Sequence, residues 1–377
     1  GAAIICSQYL GRKDEKGCND AAKQIVLTVV VISSVIMIIG VGFRKPLLHL
    51  IFGSVEEAVM TNAQMYFLIT ALSYPFIALF QAGAAFYRAC GNSKFTMKTA
   101  LIANVANIVG NTLFIFVLQM GAAGAAVSTL ISRALCAFVV FYALRKPGYA
   151  IQLKNYFSIR PDLNLIVKIL AIGVPSGIEN GMFQFGKLAI QSTVSLMGTA
   201  AIAAQGMTNI IENLNGIMSI GMGIGLMTVV GECLGAGEKE EAVYYIKKIS
   251  IAAEVVLIAT CLLMFGLTYP ITYFGGMEPE SAKLCIFMVT CITIVKPIVW
   301  IMAFIPPYGF RAAGDVRFTM TTSMLCMWLC RVVLAMVLAR VFHMGPIAVW
   351  IGMFTDWTIR GIIYTIRFKN RKWLAHQ

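Results

Sequence analysis

The segment Tyr87-Arg88-Ala89-Cys90-Gly91-Asn92-Ser93-Lys94-Phe95-Thr96-Met97-Lys98-Thr99 returns later in the chain as Phe310-Arg311-Ala312-Ala313-Gly314-Asp315-Val316-Arg317-Phe318-Thr319-Met320-Thr321-Thr322. Both copies read aromatic-Arg-Ala-x-Gly-x-x-basic-Phe-Thr-Met-x-Thr, and each lies between two long apolar segments. Other landmarks keep the register. Leu10-Gly11 pairs with Leu234-Gly235, Phe52-Gly53 with Phe274-Gly275, Pro75 with Pro297 and Met120-Gly121 with Met344-Gly345, each within one position of the offset that carries Arg88 to Arg311. A chance match would not hold along the whole chain, so the sequence is read as two homologous halves.

The halves are unequal. The second has an additional stretch, Pro161 to Ile224, ahead of the point that matches Gly1, and it holds one apolar helix and the start of another. The expectation is that the first half lacks its first transmembrane helix and part of its second here, with Gly1 to Leu10 as a stub.

The solvent for both halves follows from composition: 59% of residues are apolar, 12% are charged and the mean hydropathy is +0.81. A chain of that kind belongs in a membrane. A transmembrane barrel needs alternating segments of about 10 residues. The apolar runs here instead approach the ~20 residues with which a helix crosses about 30 Å of hydrocarbon, so the fold class is all-α, two six-helix bundles with the first helix and part of the second missing. Of the 30 Lys and Arg, 21 fall in one alternate set of loops and in the C-terminal tail, whereas the opposite loops hold only Arg44, Lys45, Lys283 and Arg340. Basic residues mark cytoplasmic loops. The net charge of +13 therefore encodes orientation, with the C-terminus cytoplasmic, and not nucleic-acid binding. Ten scattered Cys without C-x-x-C spacing, and three dispersed His (His49, His343, His376), offer no metal site or disulfide framework.

Along the chain, residues 1–144 form the N-terminal bundle, 145–161 a basic cytoplasmic linker containing Pro147-Gly148, and 162–377 the C-terminal bundle. Eleven segments are expected, five including the stub and then six. Ser54-x-x-Glu57 reads as a capping box. Pro75 and Pro297 fall inside expected helices and predict matched bends.

Polar groups in hydrocarbon are costly, so those inside the helices are the candidate site. On the expected helix 165–196, Glu179, Asn180, Gln184, Lys187, Gln191 and Ser195 trace one stripe. On the next, Gln205, Asn209, Glu212 and Asn213 share a face. Two consecutive polar stripes line a water-filled cavity or bond to each other as glue; Glu179, Lys187 and Glu212 favour the cavity. Lys296 and Arg331 add buried positive charge that needs partners. Asp356 and Arg360 stand four apart and predict an internal ion pair. The first half offers Asn104, Asn107 and Asn111 on one face, Arg133, and no carboxylate within its helices.

With these residues in place the chain resembles the multidrug and toxic compound extrusion (MATE) family. The resemblance rests on Arg88-Ala89-Cys90-Gly91 and Arg311-Ala312-Ala313-Gly314-Asp315, on Val230-Gly231-Glu232-Cys233-Leu234-Gly235-Ala236-Gly237, on Gly173-Val174-Pro175 as the opening of the seventh family helix, and on Asn104 to Asn107 before Met120-Gly121-Ala122-Ala123-Gly124-Ala125-Ala126. It implies twelve helices, a multi-pass protein of the plasma membrane, and export of organic cations in exchange for sodium or protons by alternating access between two bundles. In the sodium branch of that family, acids on the seventh and tenth helices bind the ion. Glu179 lies on the seventh, about one turn nearer its start than that branch's acid, and is the one candidate sodium ligand; the tenth departs from the pattern, with Lys296 and no acid. In the other branch the coupling acid lies on the first helix.

The leading expectation is therefore an antiporter acting as a monomer, without a resident cofactor, with small organic cations and membrane lipid as its partners. The alternative is a flippase for lipid-linked oligosaccharide or a related anionic lipid, favoured by Lys187, Lys296 and Arg331 and opposed by Glu179 and Glu212. An enzyme is not expected: the chain has no phosphate-binding glycine loop, no H-E-x-x-H and no Ser/His or Cys/His arrangement.

Overall fold

Apolar runs in a bilayer have no water to satisfy their N–H and C=O groups, so each run closes its own hydrogen bonds as a helix. The computed structural model describes residues 1–376 and follows that rule. The first helices are α1 (Ala2–Gly11), α2 (Glu15–Gly42), α3 (Arg44–Phe52), α4 (Glu57–Ala71), α5 (Tyr74–Ala89), α6 (Ser93–Asn111), which runs on as a π turn over Thr112–Val117, and α7 (Ala122–Leu144). Then come α8 (Leu163–Ser195), α9 (Thr199–Gly235), α10 (Lys239–Phe274), α11 (Pro279–Phe304), α12 (Pro306–Ala312), α13 (Val316–Leu325), a π stretch over Cys326–Val333, α14 (Leu334–Arg340) and α15 (Ile347–Lys369). Among the described residues eight spans are long and apolar enough to cross a membrane, and the bent pair α4 and α5 makes a ninth. The last helix, α15, is not in that set. Asp356 and Arg360 lower its hydropathy, and the two pair with each other inside the protein.

The chain forms two compact units, residues 2–170 and residues 171 onward. The division falls inside α8, not in the 145–161 segment. That segment is tied down within the first unit: Asn19 of α2 donates to the Ala150 carbonyl at 2.8 Å and accepts from the Gln152 N–H at 2.8 Å. Gln24 donates to the Arg160 carbonyl at 2.7 Å and accepts from the Asp162 N–H at 3.1 Å. Tyr156 donates to the Phe141 carbonyl at 2.7 Å. Burial pushes its phenol up to about 12, so it stays a donor at ordinary pH.

The duplication is also written in the backbone of each unit. Positive φ recurs at Lys13 and Gly237, Gly53 and Gly276, Gly91 and Gly314, Gln119 and His343, and Gly121 and Gly345, always within one position of the offset between the two Arg-Ala motifs. At Gly91 and Gly314 the left-handed conformation ends a helix immediately after the Arg-Ala motif, the conformation a Cβ would oppose.

Three local expectations are corrected. Pro75 does not kink a continuous helix. The span breaks at Leu72 and Ser73 with a 42° bend, and Pro75 sits in the first turn of α5, where its missing N–H costs nothing. Ser54 does not cap α4: the residue preceding that helix is Glu56, and it makes no side-chain cap bond. Gly173-Val174-Pro175 does not open a helix either, since Pro175 is internal to α8.

Within the second unit, α9 packs along α10. Ser219 donates to the Ala253 carbonyl at 3.0 Å and Thr260 to the Asn215 carbonyl at 2.7 Å. This fixes the height of α9 and hence of its polar face.

Candidate functional site

A cavity of about 730 Å³ opens within the second unit, walled by α8, α9, α11, α12, α15 and the π stretch. That is the size range of ligand pockets. Both polar stripes reach it: Glu179, Asn180, Gln184, Lys187 and Gln191 from α8, and Gln205, Asn209, Glu212 and Asn213 from α9. Ser195 does not; its hydroxyl turns back to the Ser192 carbonyl at 2.7 Å. Asn180 donates to the Ser176 carbonyl at 2.8 Å, and Gln205 accepts from the Trp350 indole N–H at 2.9 Å.

Each acid of this site is held by a base. Glu179 accepts from Arg311 at 2.6 Å. This places Arg311, counted from sequence among the cytoplasmic loops, in the cavity wall on α12. Glu212 meets Lys296, whose ammonium is fully buried and lies 2.7 Å from the Glu212 carboxylate, 3.0 Å from the Glu212 carbonyl and 2.6 Å from the Asn215 side-chain oxygen. Three acceptors satisfy its three N–H groups. The ammonium also lies 4.9 Å from the Trp300 ring centroid. Gly216 makes room for it, because a Cβ there would stand 2.8 Å from the Lys296 nitrogen.

Asp356, fully buried, is shared. Arg331 reaches it at 2.8 Å and Arg360 at 2.9 Å. The i, i+4 pair expected from sequence is present, with Arg331 added from the π stretch. An extra residue per turn rotates the side chains that follow it.

Lys187 stands apart. Among the described residues it has no hydrogen bond or ion pair, and its ammonium lies 4.9 Å from the Phe183 ring centroid. The Arg331 guanidinium lies 5.2 Å from that same ring. Five bases thus surround the cavity and three acids answer them.

The first unit has its own smaller cavity, about 300 Å³, lined by Asn104, Asn107, Gln81, Thr129 and Arg133 among others. Asn107 donates to Thr129 at 3.4 Å and accepts from Asn111 at 3.2 Å, while Arg133 donates to Ser73 at the break between α4 and α5 at 2.6 Å. These asparagines are not part of the charged cavity of the second unit. Among the described residues no three His, Cys, Asp or Glu come together to hold a metal ion.

Long apolar helices around a charged cavity are the architecture of a multi-pass membrane protein with an internal binding site, and the family match makes it a transporter. The MatE family model matches residues 1–113 and 175–337, and the chain belongs to that family. Among its relatives, "Uncharacterized transporter YisQ" of Bacillus subtilis is 25% identical over 380 residues, 99% of this chain and 82% of the relative. "Probable multidrug resistance protein NorM" of Thermotoga maritima is 23% identical over 385 residues, 99% and 80%. Solved structures share the fold. A multidrug resistance MATE family transporter of the MOP superfamily in an outward-facing conformation superposes with a TM-score of 0.90 at 18% identity, over 100% of this chain and 83% of that one. A MOP superfamily transporter from Pyrococcus furiosus, described by a binding pocket of reverse polarity, gives 0.85 at 19% identity, over 98% and 82%.

Proposed function

We propose that the chain is a secondary active exporter of small organic amphiphiles, an antiporter of the plasma membrane with its C-terminus cytoplasmic, driven by inward movement of a proton. The observation that carries this reading is the Glu179 and Arg311 pair. It is the one acid-base pair of the cavity, among the described residues, in which both partners keep some access, 12% for Glu179 and 20% for Arg311, whereas Lys296 beside Glu212 is 1% exposed. Glu212 and Asp356 belong to denser networks. A proton arriving on Glu179 neutralises the acid and frees Arg311, so the occupied and empty states differ in charge at the wall. A sodium ion would have to displace Arg311 and would find no second free carboxylate beside it, which favours the proton. The names of the NorM relative and of the staphylococcal multidrug export protein MepA support an organic cargo.

An organic cation as cargo needs an acid free to meet it, and all three acids are engaged by bases. The flippase reading for an anionic lipid gains from the same balance.

The test is transport by the full chain in proteoliposomes carrying either a pH or a sodium gradient, read with fluorescent amphiphiles of both signs. Glu179→Gln is expected to cut gradient-driven transport at least ~10-fold while leaving probe binding within about twofold. Unchanged transport would remove Glu179 from coupling, and a response to sodium alone would replace the proton.

A further inference from the structure

We propose that the corner of the cavity formed by Lys187, Phe183 and Arg331 binds an anionic group, a carboxylate, sulfonate or phosphate, so that the transported amphiphile is an anion. The proposal rests on the reading of this cavity as the transport site and names the cargo that fits it.

Charge balance is the first argument. Arg311 neutralises Glu179 and Lys296 neutralises Glu212. Asp356 carries one charge against two guanidiniums. Lys187 has no acid at all among the described residues. Two positive charges are therefore left without a counter-charge on walls that include Trp300, Phe304, Val349, Met353 and Trp357. A cleft lined by an excess of one sign of charge raises the local concentration of the opposite ion, here anions.

The second argument is local and independent of the count. Arg331 is 3% exposed, and its Nε, buried, has no hydrogen-bond partner. A buried guanidinium donor without an acceptor is a standing cost, and Arg331 is part of the cavity wall. Phe183 is the ring that the two cations share, with its centroid 4.9 Å from the Lys187 nitrogen and 5.2 Å from the Arg331 guanidinium carbon. Cation–π attraction supplies roughly 0.5–2 kcal/mol, too little to replace a counter-ion for both. Residues 183 and 187 stand one turn apart on α8, so the ring and the ammonium present one face. An amphiphile with an apolar body and an anionic end matches that face: the body meets Phe183 and the anion meets Lys187 and Arg331. A cation placed there meets two like charges.

The chemistry is shared by soluble organic anions and by phospholipid headgroups, and the experiment separates them. The full chain in detergent micelles is titrated with 2-naphthalenesulfonate, with its cationic counterpart 2-naphthylmethylammonium, and with dihexanoyl phosphatidic acid. The naphthalenesulfonate is expected to bind at least ~10-fold more tightly than the ammonium. Lys187→Glu is expected to weaken the anions at least ~10-fold and to strengthen the ammonium, with Lys187→Arg restoring the anions to within about threefold. Tighter binding of the sulfonate than of phosphatidic acid assigns the site to soluble anions, and the reverse order assigns it to lipid. The proposal is overturned if the ammonium binds more tightly than both anions, if neither anion binds, or if Lys187→Glu leaves the anion affinities unchanged. Binding in micelles needs no ion gradient, so such a failure is distinct from a failure of proton-coupled export, which the vesicle assay reads.

Discussion

Oε1 of Glu179 accepts a hydrogen bond from Nη2 of Arg311 at 2.6 Å, joining the acid of α8 to the arginine of the duplicated Arg-Ala-x-Gly motif. Both partners are only partly screened from solvent, so the pair stands between an exposed ion pair, which contributes about 0–1 kcal/mol, and a buried one. A double-mutant cycle with Glu179→Gln and Arg311→Gln, read by thermal unfolding in detergent, is expected to give a coupling of about 1–3 kcal/mol. Strict additivity of the two single effects would show that the contact does not matter to the folded state.

Lys296 predicts a larger effect. Its ammonium is fully buried with three acceptors, Glu212 twice and Asn215. Lys296→Met leaves the Glu212 carboxylate and the Asn215 oxygen without their donor, at a cost of about 3–5 kcal/mol. The double change Lys296→Met with Glu212→Gln removes the unpaired charge and is expected to recover more than half of that loss. Unfolding of both variants checks the order; a single variant as stable as the double would mean that Glu212 reaches another base.

How much of this was visible beforehand differs from element to element. The stripes on α8 and α9 were legible because a polar residue every three or four positions in an apolar helix has few other meanings, and nine of those ten residues line the cavity. The Arg331 link to Asp356 was not, because it joins α15 to the π stretch, and sequence spacing predicts only partners on the same helix. Phe183 carries a sequence signal of its own: it lies one turn from both Glu179 and Lys187. Arg311 was misplaced for a physical reason. A base beside a Gly turn looks like a loop residue, and only the short α12 after the Pro306-Pro307 break turns it into the cavity.

The glycines of the second unit give a graded test of packing. Gly352 on α15 has the Arg331 carbonyl 2.8 Å from the place of a Cβ, and a backbone atom cannot step aside. Gly352→Ala is expected to cost about 1–3 kcal/mol. Gly221 on α9 faces open space, so Gly221→Ala removes only the flexibility of glycine and is expected to stabilise by about 0.4–1 kcal/mol. Melting temperatures in detergent are expected to move in opposite directions; a fall of equal size in both would mean that the close approach at Gly352 does not decide the effect.

The two copies of the founding motif diverge at one position with a measurable consequence. Asn92 caps α6, accepting from the Phe95 N–H at 3.3 Å. Asp315, its counterpart, makes no cap bond at α13. Its carboxylate, 3% exposed, is taken by Arg367 at 2.9 and 3.1 Å and lies 3.2 Å from His376. Those contacts hold the end of α15 and the turn after it, where Trp373 is fully buried against Phe310 and Phe368. Asp315→Asn keeps the shape and removes the charge, so the tail loses its charge-assisted bonds, each of which contributes about 1.5–3 kcal/mol. Hydrogen exchange over residues 370–376 is expected to quicken at least ~10-fold, since opening free energy and exchange rate are linked at ~1.4 kcal/mol per tenfold. Asn92→Ala is expected instead to destabilise by about 1 kcal/mol through the lost cap, without that local change in the tail. Unchanged exchange in Asp315→Asn would assign the docking of the tail to Trp373 alone.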